Sequence, residues 1–248
     1  MSHHNDVHAM WVRGRLSPLA ELTLVSFLRH HGPVRLWTYD RDLTAPHGVQ
    51  IKDANEIIDQ SELFAYQHGD ARGSFGGFSD VFRARLLWQF GGWWTDMDVT
   101  LLSPIPAKLL DAPIVLREHW CNPVVGNLMK FPAGSDAMDH AYQWTRRQVR
   151  ADNRNWNKPI ALLSKAVTQH RLLEHRIRIG HRDEFVDVLP FVRLPVEIPS
   201  DWWAMHWCNE MWRRKHKALG CIHPKSFFSR LMSEYGIVDN RFRKESPS

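Results

Sequence analysis

Two adjacent glycines, Gly91 and Gly92, divide the most strongly patterned part of the chain into two kinds of structure. Residues 79–92 carry the apolar spacing and the glycine stop of an α-helix, with Ser79 in the position of its N-cap. The segment that follows, "WWTDMD", is short and aromatic, which is typical of a buried strand. A helix that runs directly into a buried strand favours an α/β fold.

The rest of the chain repeats this alternation. Ser17 and Pro18 have the positions of an N-cap and a first helical residue, and Gly32 would end that helix. The further predicted elements are strands at 34–40, 113–119, 123–131 and 185–190, a strand with a helical turn at 48–59, helices at 61–67, 135–151, 159–171 and after Pro224, a glycine-rich loop at 69–78 and an aromatic stretch at 202–212.

This order of elements predicts an α/β protein with a mostly parallel sheet and helices on both faces. A length of 248 residues is enough for one large core, so we expect a single domain over 1–248. Ligands of such sheets bind at the carboxyl ends of the strands. Asp96 and Asp98 fall at such an end.

Charge and cysteine content narrow the class of protein. The net charge of +5 comes with basic runs at 213–217 and 241–244, but zinc-finger, RNP-like and helix-turn-helix patterns are missing, so we expect no nucleic-acid partner. The basic residues suit an anionic lipid surface or a phosphorylated ligand equally well. Three cysteines without a CxxC pair indicate a reducing compartment. Without a signal-like or membrane-spanning apolar run, we expect a cytoplasmic protein, with peripheral contact to the inner face of the membrane as an option.

Two pairs of residues carry the chemistry. In an extended strand the side chains of Asp96 and Asp98 point to the same face, where their charges repel unless a cation lies between them. Mn²⁺ or Mg²⁺ would meet that need, and the alternative is a polar turn. Asp80 and Arg83 share one helix face, either to bind a sugar or phosphate or as a local ion pair.

The whole block "FSDVFRARLLWQFGGWWTDMDVTLLSP" resembles the central signature of glycosyltransferases with a DxD-containing sugar-binding region. That family includes bacterial capsular and lipopolysaccharide sugar transferases, α-mannosyltransferases, α1,4-galactosyltransferases and the large clostridial glucosylating toxins. The positions that match are Ser79, Asp80, Arg83, Gly91, Gly92, Trp94, Asp96 and Asp98. Weaker likenesses lie in the opening segment 8–40 and in "AMHWCNEMW" at 204–212.

The resemblance implies a GT-A-like, Rossmann-like domain with a donor half at about 1–120 and an acceptor half with a C-terminal lid at about 121–248. It implies transfer of a hexose, with retained configuration, from a nucleotide diphosphate sugar, UDP being the commonest base among the bacterial relatives. The acceptor would be a saccharide, a lipid-linked saccharide or another hydroxyl compound in surface polysaccharide synthesis.

The resemblance also implies roles for single residues. Asp98, Asp96 and His206 would hold the metal, and Asp80, Arg83, Asp96 and Asp98 would form the catalytic group. His206 and either Arg213 or Lys215 would neutralise the departing diphosphate. Segments 69–78 and 202–212 would be lids. The remaining donor-binding candidates are Trp11, Tyr39, Asp40, Ser79, Asn127, Asn209 and Trp212.

Two other functions remain open from the sequence. "DMDVT" satisfies the D-x-D-x-T opening of haloacid-dehalogenase-like phosphatases, where Asp96 would be the nucleophile and Mg²⁺ the cofactor. That motif normally follows an aliphatic strand near the N-terminus, and it leaves Asp80 and Arg83 unexplained. The second alternative is a non-catalytic sugar-binding protein.

Overall fold

The computed structural model describes residues 5–181, 185–214 and 222–237. Lys215 and the basic run 241–244 lie outside them. The strands are β1 (Val7–Met10), β2 (Val34–Thr38), β3 (Gln50–Asp53), β4 (Gly92–Thr95), β5 (Val99–Leu101), β6 (Val115–Arg117), β7 (Val125–Phe131), β8 (Arg176–Ile177) and β9 (Ala204–His206). The helices are α1 (Pro18–His30), α2 (Gly76–Phe90), α3 (Ala107–Leu110), α4 (Asp136–Gln148), α5 (Lys158–Gln169), α6 (Phe185–Arg193), α7 (Asn209–Arg214) and α8 (Phe227–Glu234).

A seven-stranded sheet forms the centre of the described part, in the order β3-β2-β1-β4-β7-β6-β8. β1 pairs in parallel with β2 and β4, β2 with β3, and β6 with β8, whereas β7 is antiparallel to both β4 and β6. The expected α/β class with a mostly parallel sheet is therefore confirmed.

The two adjacent tryptophans of β4 show how helices cover both faces of this sheet. Trp93 packs in a cluster with Ala20, Leu24 and Phe27 of α1. Trp94 packs on the other face, in a cluster with residues of α2, α4 and α5 such as Phe82. Because neighbouring strand residues point to opposite faces, this dipeptide ties both helical layers to one strand.

A second, two-stranded sheet pairs β5 with β9 in antiparallel register, so that Val99 lies opposite His206. Trp207 continues the pairing through its amide, which donates to the carbonyl of Asp98 at 2.9 Å. This ribbon brings the segment after residue 202 to the turn that contains the two aspartates.

α1 begins as predicted, since the Ser17 hydroxyl accepts a hydrogen bond from the Ala20 amide at 3.1 Å. α2 does not. It begins at Gly76 with Phe75 as N-cap, so Ser79 is not the cap; its amide already donates to the Phe75 carbonyl at 2.8 Å. Gly76 and Gly77, the last two of the four glycines in the predicted loop, lie in the first turn of the helix.

The predicted strand at 185–190 is wrong, because this segment is helix α6. Val188 and Val192 are spaced four apart and are both buried, which is helical spacing. Pro190 lies inside the helix. The predicted helix at 61–67 is also wrong beyond Glu62, where a single 3₁₀ turn (Gln60–Glu62) ends. β5, β8 and β9 were not predicted as separate strands.

Across the described residues, the structure contains no helix that is both long and apolar enough to cross a membrane.

Gly91 ends α2 with a φ of +68°, and a Cβ there would lie 2.5 Å from the Ala133 amide nitrogen. Gly91→Ala is expected to destabilise the protein by about 2–4 kcal/mol, from the left-handed backbone and the collision together. Urea unfolding measures this. The matched control is Gly134→Ala, which has a φ of +74° but open space around the Cβ; it should cost about 1 kcal/mol. Equal losses in the two variants would contradict the close approach.

Candidate active site

The two aspartates lie in a turn between β4 and β5, where the extended strand of the sequence prediction has already ended. The Val99 amide approaches the Asp96 carbonyl at 3.4 Å, and Asp98 immediately precedes β5. The prediction that both side chains project from one extended strand is therefore wrong. The turn instead lets each carboxylate take different partners at the carboxyl edge of β4.

Arg83 of α2 is the centre of one set of partners. Its Nη1 donates to Asp96 at 3.0 Å to Oδ1 and 3.3 Å to Oδ2, and to the Gly126 carbonyl at 2.6 Å. Its Nη2 is ion-paired with Asp80, three residues earlier on the same helix. The guanidinium also lies 5.9 Å from the Trp94 ring centroid. The buried Arg83 guanidinium thus fixes the carboxylates of Asp80 and Asp96, and it joins α2, β4 and β7.

Asp96 has a further donor in Trp94, whose indole Nε1 lies 2.8 Å from Oδ1. Trp94 is therefore on the side of Asp96, as the alternation along β4 requires. Burial raises the pKa of the Asp96 carboxyl, and the neighbouring Asp98 raises it further. Arg83 and the indole oppose this by stabilising the ionised form.

Gly126 makes the Arg83 arrangement sterically possible. A Cβ at this position would lie 2.7 Å from the Arg83 Cζ, which is closer than side chains approach. Gly76 and Gly77 act similarly about two turns before Arg83 on α2. A Cβ at Gly76 would lie 2.7 Å from the Trp156 ring, and a Cβ at Gly77 would collide with the Tyr66 hydroxyl. The role of Gly126 was not predicted, although a glycine inside a buried strand is itself a sign of close approach.

Asp98 has partners from β9 and α7. Its Oδ2 accepts a hydrogen bond from the Asn209 amide at 2.8 Å and lies 3.2 Å from the His206 Nε2. Both side chains of the Asp98–His206 pair are only about one-seventh exposed, at 14% and 16%. The resemblance placed these three residues together, and the β5–β9 ribbon is what brings them into contact.

His181 binds the main chain of His206, a contact that was not predicted from the sequence. Its Nε2 lies 3.0 Å from the His206 carbonyl oxygen and 3.2 Å from the His206 amide nitrogen. Either neutral tautomer can make one of these bonds, so the ring binds the main chain of His206 in both. His181 is 5% exposed and packs on Trp202 with ring centroids 5.5 Å apart.

The donor-binding candidates near the first two strands are partly brought together. The Trp11 indole donates to the Gly14 carbonyl at 2.9 Å, and the Gly14 amide donates to the Asp40 carboxylate at 3.1 Å. One short loop thus joins Trp11 to Asp40. Tyr39 lies between them in sequence, but its hydroxyl donates to the Ile58 carbonyl at 2.7 Å, and burial raises its pKa.

The other candidates differ in position. The carbonyl of Asn127 accepts the Asp96 amide at 2.8 Å, which places this residue beside the acids. Ser79 lies in α2 next to Asp80. Trp212 lies in the core, 3% exposed and packed edge-on against Trp207.

Among the basic candidates, Lys215 and the side chain of Arg213 lie outside what the structure describes. Arg214 was not predicted, and its guanidinium stacks on the Trp156 ring at 4.2 Å. The Trp156 ring in turn packs against Tyr66, with centroids 5.8 Å apart, and lies against Gly76 in the first turn of α2. Arg214 therefore lies near the N-terminal end of the helix that carries Arg83.

The described residues include no group of three or more His, Cys, Asp or Glu that could hold a metal ion. Asp98 and His206 nevertheless offer a carboxylate oxygen and an imidazole nitrogen 3.2 Å apart. These donors suit Mn²⁺, whose remaining ligands can be water and ligand phosphates. Of the three predicted ligands, Asp98 and His206 fit a metal, while Asp96 is bound by Arg83.

A cavity of about 360 Å³ lies away from this site. Its lining includes Asp6, Pro33 and Gln50, at the amino ends of β1, β2 and β3. The candidate residues gather at the opposite, carboxyl edge of the sheet, which is where ligands of parallel sheets bind.

Removing the Arg83 charge should leave Asp80 and Asp96 facing each other without a counter-ion. Arg83→Met is expected to destabilise the protein by about 3 kcal/mol. Adding Asp96→Asn should restore about 1 kcal/mol of this, because one of the two unpaired charges is gone. Urea unfolding of both single variants and the double variant gives the coupling. Arg146→Met is the control, since Arg146 is half exposed in its pair with Glu62; it should cost less than about 1 kcal/mol. If the losses of unfolding free energy in Arg83→Met and Asp96→Asn simply add in the double variant, the Arg83 charge does not hold Asp96 in place.

Comparison with known proteins adds little beyond this geometry. No protein-family model and no curated protein matches the chain. Among solved structures, the chain is similar to one named PaToxG Glycosyltransferase, with a TM-score of 0.49 and 12% sequence identity over 67% of this chain and 68% of that chain. A likeness at this level says nothing about the activity of the present chain.

Proposed function

We propose that this protein is a metal-dependent glycosyltransferase that moves a hexose from a nucleotide diphosphate sugar to a hydroxyl acceptor. The observation that carries the proposal is that Asp96 and Asp98 have different partners. Asp96 is neutralised by Arg83, whereas Asp98 faces His206 across the β5–β9 ribbon. One acid is thereby positioned as a fixed part of the scaffold, and the other is left to a metal and its ligands.

Asp98 and His206 would hold Mn²⁺ or Mg²⁺. When bound, such an ion acts as a Lewis acid that stabilises the charge of a departing diphosphate. The Asn209 amide donates to the same Asp98 oxygen that contacts His206, and so fixes the carboxylate. His181 fixes the other partner through the main chain of His206.

Asp80 and Arg83 would orient the donor sugar at the base of the site. Arg83 already makes bonds to Asp80, Asp96 and the Gly126 carbonyl, so its main effect is to hold the two acids in place. Asp80 is 15% exposed and offers an acceptor for sugar hydroxyls.

The nucleotide would lie toward β1 and β2, where Trp11 and Asp40 meet at the Gly14 loop. Tyr39, Ser79 and Asn127 complete that side of the site as proposed contacts or supports. Trp212 would support the site from the core rather than touch the donor.

The finer features follow the family resemblance and are proposals of the same kind. The donor is a UDP-sugar, the transfer retains configuration with the acceptor attacking on the leaving-group side, and the product belongs to a surface polysaccharide made in the cytoplasm, in peripheral contact with the membrane. Residues 1–120 contribute Asp98 and most of the donor side. Residues 121–248 contribute His206 and the acceptor side.

The position of Asp96 argues against the phosphatase alternative. A haloacid-dehalogenase-like enzyme would use this carboxylate as its nucleophile. Here both Asp96 oxygens lie within 3.3 Å of the Arg83 guanidinium, and Oδ1 also accepts from Trp94. Lone pairs used in this way are poorly placed for attack on phosphorus.

The proposal is tested by donor hydrolysis and binding. With Mn²⁺ present, at least one member of a panel of UDP- and GDP-hexoses should be hydrolysed slowly, and EDTA should abolish the reaction. If no member shows either metal-dependent turnover or a metal-dependent thermal shift, the enzyme proposal fails.

The metal-binding role belongs to Asp98 in particular. Asp98→Asn should lower the rate of donor hydrolysis by about 10³-fold and abolish the Mn²⁺-dependent thermal shift, because the charged ligand is lost. His206→Ala should weaken Mn²⁺ binding by about tenfold or more. Asp111→Asn is the matched control, because Asp111 is exposed and follows Leu110, which lines the cavity at the opposite edge of the sheet. Full activity in Asp98→Asn would remove this residue from the metal site.

A further inference from the structure

Trp120 is the one exposed tryptophan among twelve, all of which lie in the described part of the chain. Its exposed fraction is 64%, whereas the other eleven are buried or partly buried. A single exposed apolar residue is ordinary on a protein surface. A whole indole left in water is less so, because burying it would remove a large apolar area from solvent.

Trp120 lies on the β6–β7 connection, at the edge of the sheet that carries the two aspartates. β6 ends at Arg117, which pairs with Val125 at the start of β7. The next two residues of β7 are Gly126 and Asn127, whose carbonyls accept from Arg83 and from the Asp96 amide. The connection that carries Trp120 therefore leads directly into the strand residues that bind Arg83 and Asp96.

This connection is fastened to the rest of the structure at both ends. The Glu118 amide donates to the Ile177 carbonyl at 2.8 Å, and the Ser164 hydroxyl donates to the Val124 carbonyl at 3.2 Å. Within the connection, the Cys121 amide donates to the His119 Nδ1 at 3.3 Å. The His119 ring lies next to the indole, with centroids 6.0 Å apart. The indole is thus presented on a tied loop with polar groups beside it.

We infer that Trp120 is the stacking platform for a saccharide acceptor. The C–H face of a pyranose ring packs on an indole, while its hydroxyls remain free to bond to neighbouring polar groups and water. This inference rests on the proposed glycosyltransferase function and makes it more specific: the acceptor is a sugar, and its ring is held at the β6–β7 connection. The donor side, on β1, β2 and α2, does not involve Trp120.

The test compares transfer with hydrolysis in wild type, Trp120→Ala and Trp120→Phe. The probes are methyl α- and β-glycosides of glucose, galactose and mannose, added to the enzyme with Mn²⁺ and the UDP- or GDP-hexose that it hydrolyses. In wild type at least one glycoside should yield a disaccharide. Trp120→Ala should raise the KM for that glycoside by about tenfold, and Trp120→Phe, which keeps an aromatic face, by about twofold.

The controls separate this inference from the proposed function. Donor hydrolysis without glycoside should be unchanged in Trp120→Ala, since water replaces the acceptor. Leu194→Ala removes another exposed apolar side chain, 50% exposed, and should leave the glycoside KM as it is. If wild type neither hydrolyses nor binds any donor, the proposed function fails and the inference with it.

Two results would overturn the inference while leaving the proposed function intact. One is donor hydrolysis with no glycoside accepted by wild type. The other is an unchanged glycoside KM in Trp120→Ala. If that variant then also binds more weakly to vesicles of phosphatidylserine and phosphatidylcholine, the indole belongs to a membrane-binding surface instead.

Discussion

The candidate site depends on one buried cation. Arg83 binds the carboxylates of Asp80 and Asp96 and the main-chain carbonyl of Gly126. These three groups belong to helix α2, to the turn after β4 and to strand β7. Burying any one of these charges alone would cost several kcal/mol, but together they satisfy each other. The requirement extends to the neighbours: Gly126 must lack a side chain, and Trp94 must direct its N–H to Asp96. The helix, the strand before the turn and the antiparallel strand are therefore held in one relative position by electrostatics as well as by packing.

The second constraint is non-local. Asp98 and Asn209 are 111 residues apart in sequence, yet the main-chain amide of Asn209 donates to the Asp98 carboxylate. The β5–β9 ribbon creates this contact, and His181 reinforces it by binding the main chain of His206. The contacts of Arg83 with Asp80 and Asp96 join residues at most 13 positions apart in sequence, whereas the metal side of the proposed site exists only when two distant segments pair.

The sequence predicts the local part well, for a physical reason. A helix cap, a glycine stop and a run of aromatic strand residues each act within a few positions, so α1, β4 and the end of α2 could be placed from the pattern. The resemblance supplied Asp98 and His206 as partners. Two other features depend on contacts between distant segments: the turn at Asp96 and Asp98, where the Asp98 carbonyl accepts from the Trp207 amide, and the bond of His181 to His206. A glycine in a buried strand signals a close approach at 126, but the pattern does not name Arg83 as the neighbour. The strand prediction at 185–190 was wrong because a short apolar run is compatible with either a strand or a helix. In the structure, burial of both Val188 and Val192 favours the helix.

The β5–β9 ribbon has only three residue pairs, Val99–His206, Thr100–Met205 and Leu101–Ala204. Five of these six residues are fully buried, and Val99, Leu101 and Ala204 pack in one cluster with Trp93 of the large sheet and Phe27 of α1. The Leu101 amide also donates to the Ser26 hydroxyl of α1 at 3.0 Å. The ladder is short, but it opens only if this part of the core is exposed to water. A cavity made in the face of α1 that packs on the ribbon would therefore disturb the Asp98–His206 pair as well as the core.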